Sequence, residues 1–319
     1  MKATKNVGTP ESPDPDLSVF KWSFVSPRYL PSWMLLGSMR LITLCPLPVL
    51  WALGWLIGET LYRFGHDRRH IANRNIERCL PELSTDGRQG LVREHFHAVG
   101  LGLLAMPLPW WASRRRLTRL VRYQGRHHYD QALAAGKNII LLAPHFMGLE
   151  SGLIMSTERP MMYMYQRPKN ILIDTVIQRG RTRFGAELIE RSGSLKGMFR
   201  KLKGGVPLCY LPDQNPGAKR GIFVNFMGVT AATHQALGRF AKLADAVVIP
   251  CICTQRPFGR GYLITYKPPL ENFPSGDPEK DTTHMNQAIE KAVRDDPAQY
   301  FWIHRRFKIQ PEGEPDFYS

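Results

Sequence analysis

The chain has 319 residues, 43% of them apolar, and it carries 43 Lys and Arg against 27 Asp and Glu, a formal net charge of +16. This length and apolar content exclude an intrinsically disordered protein and fit one large catalytic domain or two smaller ones. The positive charge indicates an anionic partner, which is a phospholipid surface, a phosphorylated metabolite or nucleic acid. The five cysteines are scattered and mostly lie in apolar stretches, so we expect free thiols in a reducing compartment.

Residues 1–28 are predicted to form a flexible N-terminal tail. They are rich in Pro, Ser and charged residues and show no hydrophobic periodicity. The early lysines are not followed by an apolar run with a small-residue cleavage site, so the layout differs from that of a signal peptide.

Residues 29–64 are predicted to be a hydrophobic membrane anchor. A ~30 Å hydrocarbon core takes about 20 helical residues, so the length of this apolar segment permits a span. Arg40 would be costly at the bilayer centre, however, and Pro46 and Pro48 favour two short helices over one long one. Three alternatives remain at this point: a membrane-embedded hairpin or interfacial anchor, which these interruptions favour, a single span, and a buried core helix.

Two basic clusters follow this anchor, "RFGHDRRHIANRNIER" at 63–78 and "SRRRLTRLVR" at 113–122. Basic residues beside an apolar anchor favour attraction to an anionic membrane leaflet, worth about 1 kcal/mol for each residue close to the surface. The second cluster also has apolar residues at helical spacing. It is typical of a membrane-facing helix and equally of a solvated helix face on the domain.

Residues 65–319 are predicted to form the catalytic domain. From about Asn138 the chain alternates short apolar runs with longer mixed segments, which predicts an α/β fold. The predicted strands are 138–143, 161–165, 206–211, 222–225, 246–254 and 261–266. The predicted helices are 84–104, 149–157, 171–183, 194–203, 233–244 and 281–295.

The segment "NIILLAPHFMGLE" at 138–150 carries the main candidate site. Five residues along an ideal helix turn through about 500°, so His145 and Glu150 cannot share a face within one regular helix. They can meet if Pro144 ends the strand, His145 lies in the turn and Glu150 lies in the first helical turn. A carboxylate that holds one ring nitrogen leaves the other nitrogen free as a base. A histidine that caps a strand and a glutamate that opens a helix are common, and the spacing by itself favours that structural interpretation.

Other residues narrow the chemistry. The chain has no G-x-S-x-G elbow and no cysteine placed as a nucleophile, so covalent catalysis has no candidate. A His/Glu pair without a nucleophile suits direct activation of a substrate hydroxyl. No metal-ligand set, nucleotide loop or flavin fingerprint appears, so no metal and no cofactor are expected.

These residues also carry a family resemblance. "APHFMGLE" resembles the H-x4-[DE] block of glycerolipid-type acyltransferases, and in its glutamate form it is similar to the bacterial lipid A (late) acyltransferases. Further segments resemble that family in the same order. They are "NRNIERCLPELS" at 73–84, "YQRPKN" at 165–170, "LPDQNPGAKRGIFVNFMGVTAAT" at 211–233, "VIPCICTQ" at 248–255, "PPLENFPSGDPEKD" at 268–281 and "QYFWIHRRFK" at 299–308.

The resemblance implies a fold, a reaction and a location. The fold is a mixed central sheet flanked by helices, like that of glycerol-3-phosphate acyltransferase, with an N-terminal membrane-anchoring helical segment. The reaction is transfer of an acyl chain from an acyl-carrier-protein thioester or acyl-CoA to a hydroxyl of a lipid A precursor, in lipopolysaccharide biosynthesis. The location is an anionic membrane surface, the cytoplasmic face of the inner membrane.

The resemblance also implies roles for individual residues. His145 would be the general base, and Glu150 would orient it. Arg167 would bind a phosphate or an oxyanion, or form a salt bridge within the domain. Asp213 would contact substrate or hold Arg167. A final pair, Arg305 and Arg306, would contact lipid phosphates or form a solvated basic strand end.

Three rival functions remain open at the level of the sequence. The enzyme could act on another glycolipid or on a lysophospholipid. It could use the same His/Glu pair on water, as a thioesterase or lipid hydrolase does. A nucleic-acid-binding protein is suggested only by the pI of about 9.9. No recognised nucleic-acid-reading module is present, so no nucleic-acid partner is expected.

Overall fold

The computed structural model describes residues 21–190, 195–217 and 221–319. The described helices are α1 (Leu30–Ile42), α2 (Leu47–Phe64), α3 (His66–Cys79), α4 (Thr85–Ala105), α5 (Leu108–Trp111), α6 (Arg114–Leu120), α7 (Arg126–Ala134), α8 (Ile171–Thr182), α9 (Leu195–Lys203), α10 (Ala236–Ala244) and α11 (Pro278–Asp295). The described strands are β1 (Val121–Gln124), β2 (Asn138–Leu142), β3 (Met161–Tyr165), β4 (Ala186–Glu190), β5 (Leu208–Tyr210), β6 (Gly221–Phe226), β7 (Val229–His234), β8 (Ala246–Gln255) and β9 (Tyr262–Tyr266). Short 3₁₀ helices occupy Trp22–Val25, Pro27–Tyr29, Leu149–Thr157, Pro257–Gly259 and Pro297–Gln299.

A seven-stranded sheet with the order β1-β9-β8-β2-β5-β3-β4 forms the centre of the molecule. Neighbouring strands are parallel except for β8 and β9, which run antiparallel. A separate antiparallel hairpin, β6-β7, lies beside it. The prediction of an α/β fold with a mixed central sheet flanked by helices is therefore confirmed.

The middle of the sheet is buried on both faces, because β2 sends alternate side chains to opposite sides. Ile140 and Leu142 join one core cluster with residues of α3, α4, α9, α10 and α11. Ile139 and Leu141 join a second cluster with residues of α4, α6 and α7. An apolar run without alternation is what such a doubly covered strand requires. The strand that precedes His145 is thus held rigidly at the centre of the fold.

The N-terminal helices pack against this domain. The helical conformation is interrupted between α1 and α2, where the carbonyls of Thr43 and Cys45 accept hydrogen bonds from Arg116 of α6. Then α2 lies on α4 so closely that a Cβ added at Gly54 would come within 2.6 Å of the Leu101 Cα. Glycine is needed at such a contact because only a bare backbone fits.

The outward face of α1 and α2 remains apolar. Large exposed hydrophobic side chains there include Met34, Leu35, Val49, Leu53 and Leu56. Along the ranges that the structure describes, no helix combines the length and the apolar character needed to cross a membrane.

The predicted elements compare well with the described ones. The predicted strands correspond to β2, β3, β5, β6, β8 and β9, and the predicted helices to α4, Leu149–Thr157, α8, α9, α10 and α11. The helix at 149–157 is a 3₁₀ helix, and the predicted start of α9 at 194 lies outside the described residues. Strands β1, β4 and β7 were not predicted.

The predicted tail is covered only in part. Residues 1–20 lie outside the described residues. Residues Trp22–Val25 and Pro27–Tyr29 form 3₁₀ turns, and Phe24 packs with Leu36 and Leu172 in a small apolar cluster. The last part of the predicted tail therefore packs against the folded chain. All five cysteines are free, and four of them are buried, as the sequence predicted.

Candidate active site

His145 lies in the turn after β2, at the carboxyl edge of the sheet. The His145 carbonyl accepts a hydrogen bond from the Phe301 amide at 3.0 Å. Two residues later, the Met147 amide donates to the Gln299 carbonyl at 2.9 Å. A Cβ added at Gly148 would meet the Cys253 carbonyl oxygen at 2.6 Å, so the turn needs glycine there. The chain around His145 is therefore fixed on both sides, and its side chain is 22% exposed.

Asp213 is the carboxylate that holds His145. It follows β5, which pairs in parallel with β2, so both residues emerge at the same sheet edge. The Asp213 Oδ1 atom accepts from the His145 ring nitrogen Nδ1 at 2.6 Å, and Oδ2 accepts from the His145 backbone amide at 2.8 Å. Because an ionised carboxylate only accepts, the proton lies on Nδ1 and Nε2 is left with a free lone pair.

The charge state of Asp213 supports this pairing. The Asp213 side chain is 1% exposed, and burial alone would raise its pKa. The charge and hydrogen bonds of His145 and the charge of Arg306 outweigh burial, so the pKa of Asp213 lies below its ordinary value. Burial and the nearby charge of Asp213 raise the pKa of Tyr300 well above its ordinary value, so its hydroxyl stays protonated beside this carboxylate. Asp213 thus stays ionised behind the imidazole.

Glu150 has other partners, which corrects its expected role as the group that orients His145. It is the second residue of the 3₁₀ helix Leu149–Thr157, close to the predicted first-turn position. Its Oε1 accepts from Trp110 Nε1 at 2.6 Å and from Arg181 Nε at 2.8 Å, and its Oε2 accepts from Arg181 Nη2 at 2.7 Å. The bidentate pair with Arg181 occupies both carboxylate oxygens. Glu150 therefore ties α5 and α8 to the segment that follows His145.

Two cavities of different character meet at His145. The first has a volume of about 330 Å³ and an apolar wall that includes Val99, Leu103, Leu117, Leu120 and Ile154. Glu150 lies at its edge. The second has a volume of about 850 Å³ and polar residues in its wall, among them Gln166, Gln214, His234, Gln235, Arg239 and Lys242. One imidazole is thus in contact with an apolar space on one side and a polar space on the other.

None of the three arginines predicted to bind substrate lines either of these two cavities. Arg167 forms an ion pair with Glu190 at 3.2 Å, which is the alternative of a salt bridge within the domain. Arg306 is 3% exposed and donates to the Ala232 carbonyl and to the Thr233 hydroxyl, so the predicted contact with lipid phosphates does not fit its burial. Arg305 is exposed and lies over the Tyr318 ring at 5.6 Å.

Four residues near the site were not predicted from the sequence. Trp110 and Arg181 bind Glu150, and neither lies in a motif that could have indicated this. The sequence did contain an indication of Gln214, since this residue is the second of the "DQ" block. His304, in the C-terminal block, accepts from the Asn215 amide at 3.2 Å, and burial together with the nearby His145 lowers its pKa to about 4. This neutral ring fixes the loop after Asp213, of which residues 218–220 lie outside the described chain.

No group of three His, Cys, Asp or Glu side chains is arranged to hold a metal ion within the described part of the chain. The chemistry that the described residues offer is proton transfer. An oriented imidazole can take a proton from a hydroxyl or from water in the polar cavity, beside an apolar chain in the other cavity.

This fold and site define an α/β enzyme with an oriented histidine between an apolar and a polar cavity, which suits transfer of an acyl chain to a polar acceptor. The family model described as bacterial lipid A biosynthesis acyltransferase matches residues 17–309. The chain belongs to this family, as the resemblance of its motifs indicated, and the protein is an acyltransferase.

Named relatives match this chain over nearly its whole length. The lipid A biosynthesis lauroyltransferase of Escherichia coli (strain K12) is 34% identical over 305 residues, which cover 95% of this chain and 99% of the relative. The lipid A biosynthesis palmitoleoyltransferase of the same organism is 32% identical over 301 residues, 94% of this chain and 98% of the relative. Its lipid A biosynthesis myristoyltransferase is 29% identical over 301 residues, 92% of each chain.

Proposed function

We propose that this protein is a membrane-associated O-acyltransferase of lipopolysaccharide biosynthesis. It transfers a fatty acyl chain from an acyl-carrier-protein or CoA thioester to a hydroxyl of a lipid A precursor. The observation that carries this proposal is the His145–Asp213 pair at the junction of the apolar and the polar cavity. The names of the relatives, which are lauroyl-, palmitoleoyl- and myristoyltransferases of lipid A, support the acceptor and the acyl group.

His145 acts as the general base on the acceptor. Its Nε2 atom takes the proton of the hydroxyl as the hydroxyl oxygen attacks the thioester carbonyl carbon, and Asp213 stabilises the imidazolium that forms. The new carbon–oxygen bond completes a tetrahedral intermediate. When it collapses, the carbon–sulfur bond breaks and the imidazolium returns its proton to the thiolate. No covalent acyl-enzyme is needed.

Gln214 is the donor that we assign to the oxyanion of this intermediate. The backbone amides that follow His145 are already used, because Phe146 donates to Pro144 and Gly148 donates to Cys253. The Gln214 side chain lines the polar cavity with His145 and forms no side-chain hydrogen bond with any residue that the structure describes. A primary amide can donate to a negatively charged oxygen in such a position.

The apolar cavity receives the acyl chain of the donor. It is bounded by α4, α5 and α6, and its edge carries Glu150. By holding Trp110 and Arg181, Glu150 keeps α5 and α8 in place against the segment that bears His145. Glu150 therefore contributes to catalysis by positioning the cavity wall.

The exposed apolar face of α1 and α2 supports association with the cytoplasmic face of the inner membrane. Side chains such as Leu53 and Leu56 would enter the interface between headgroups and acyl chains, while the opposite face of α2 remains packed on α4. Arg305 is exposed and remains our candidate for contact with lipid phosphates, and Arg167 for contact with substrate beside its pairing with Glu190.

The test is a reaction with defined substrates, followed by mass spectrometry. The purified enzyme receives an acyl-carrier-protein or CoA thioester and a lipid A precursor, and the product should gain the mass of one acyl chain. The His145→Ala variant, checked for folding by its thermal midpoint, should form product at about a thousandth of the wild-type rate or less. Release of free fatty acid without acylated acceptor would support a hydrolase instead. Acylation of lysophospholipid in preference to the lipid A precursor would support the other acceptor class.

A further inference from the structure

One helix of the polar cavity carries two cations that pair with no residue in the described part of the chain. Arg239 and Lys242 lie three residues apart on α10, so they share a face of that helix, and both line the cavity that His145 also lines. Both side chains are exposed. Neither forms a side-chain hydrogen bond or an ion pair with any residue in the described ranges.

Several arginines elsewhere in the described chain are paired. Arg93, Arg126, Arg181 and Arg294 each form an ion pair with a glutamate. The described wall of the polar cavity contains a single carboxylate, Asp281. Its Oδ1 atom is already bound by the Ser275 amide at 2.7 Å and the Ser275 hydroxyl at 2.8 Å, and the residue is 5% exposed.

The start of α10 adds positive potential to the same wall. The helix begins at Ala236, and its N-cap residue Gln235 provides no side-chain hydrogen bond. Both residues line the cavity. The first-turn amides of a helix are the positive end of its dipole, which adds to the charge of the two cations. The wall therefore fits an anionic group inside the cavity.

We propose that Arg239 and Lys242 bind a phosphate group of a substrate whose reacting atom lies at His145. This inference rests on the proposed acyl transfer and names a subsite for it. A guanidinium offers paired donors and an ammonium offers a compact charge, and both bind phosphate oxygens well. The phosphate has two possible sources, the phosphopantetheine arm of the donor or a phosphate of the acceptor glycolipid.

The test compares two double variants that remove the same charge. Arg239→Gln/Lys242→Gln removes the proposed subsite. Arg200→Gln/Lys203→Gln removes two exposed cations from α9, which packs against α10, at positions outside the cavity wall. The second pair controls for loss of long-range attraction to acidic substrates. Thermal midpoints establish whether each variant folds. If the double variant does not fold, the same measurements are made on the single variants and on Arg239→Lys.

Two arms identify the source of the phosphate. In the donor arm, binding of phosphopantetheine and of pantetheine is measured by calorimetry, together with the KM for acyl-CoA. In the acceptor arm, the KM is measured for lipid A precursors with and without their phosphates. We expect the Arg239→Gln/Lys242→Gln variant to bind the phosphate-bearing compound of one arm roughly 10- to 100-fold more weakly, with kcat little changed. The phosphate-free compound of that arm should bind both proteins equally.

Unchanged affinity in both arms would overturn the inference, as would an equal loss in the α9 control. An equal loss with the phosphate-free compound would also overturn it, since the cations would then act on something other than phosphate. These outcomes differ from a failure of the proposed function. In that case the wild-type enzyme would transfer no acyl chain, while the calorimetric arm would still report on phosphate binding.

Discussion

Replacing Asp213 by asparagine is expected to remove most of the turnover and to leave the fold intact. The site requires two acceptor oxygens, one for the His145 Nδ1 proton at 2.6 Å and one for the His145 amide at 2.8 Å. Asparagine has one acceptor and one donor in the same shape. If the asparagine oxygen still accepts from the His145 backbone amide, the asparagine NH₂ group faces Nδ1 and forces the ring proton onto Nε2. The base is then blocked.

The expected loss in kcat is about 10³- to 10⁴-fold, or about 4 to 5 kcal/mol of activation free energy, because a triad aspartate replaced by asparagine has an effect of this size through the wrong tautomer. The KM values should change little. Initial rates are measured with labelled acyl-carrier protein as donor, and the thermal midpoint serves as the folding control. His145→Ala should fall to a similar residual rate, and the double variant should lose little more. A folded Asp213→Asn enzyme that keeps its kcat within about tenfold of the wild type would refute the assignment.

Other variants test the remaining parts of the site. Glu150→Gln should lower both the thermal midpoint and the affinity for the acyl donor, because it leaves Arg181 without its charge partner. The Glu150→Gln/Arg181→Gln variant should be less impaired than the sum of the two single variants, and strict additivity would contradict the coupling. Gly102→Leu should fill part of the apolar cavity and shift donor preference towards shorter chains in competition assays, whereas an unchanged preference would exclude this cavity as the acyl site. His95 is fully buried, and burial lowers its pKa to about 4 from an ordinary 6.5. Since the unfolded chain takes up a proton first as the pH falls from about 6.5 to 4, stability should drop by about 3 kcal/mol over that range, and chemical denaturation of His95→Asn should show a smaller drop.

The position of His145 could be predicted from sequence because its causes are local. An apolar run without alternation, followed by proline and glycine, is enough to place a residue at the end of a buried strand. Asp213 also follows a predicted strand. Its contact with His145 depends on β2 and β5 being neighbours, however, and strand order is set by tertiary packing. The short spacing between His145 and Glu150 therefore predicted the nearer carboxylate as the partner, whereas the carboxylate that binds His145 lies 68 residues away in the chain.

The strands that were not predicted have a similar explanation. β1 and β4, with the sequences VRYQ and AELIE, form the two edges of the sheet, where polar side chains meet no burial penalty. β7, with the sequence VTAATH, belongs to the separate hairpin and contains small and polar residues. For β1 and β4 the hydrophobic signal is weak because an edge strand is covered on fewer sides than β2. Strand β7 is largely buried, and its signal is weak because the buried residues Ala231, Ala232 and Thr233 are small or polar. The missing strands thus lie at the sheet edges or in the separate hairpin, whereas β2 and β5, which position His145 and Asp213, were predicted.

The close contact of α2 with α4 has a mechanical consequence. The glycines Gly54, Gly58 and Gly100 bring the two backbones together without intervening side chains, so the helices cannot slide or hinge independently. Within the next turn of α4, Gly102 and Leu103 form part of the apolar cavity wall. If the outer face of α2 lies in a lipid surface, its tilt and depth fix the direction in which this cavity opens. The surface would then act as a rigid reference plane, against which the enzyme holds the acyl chain at one orientation through every turnover.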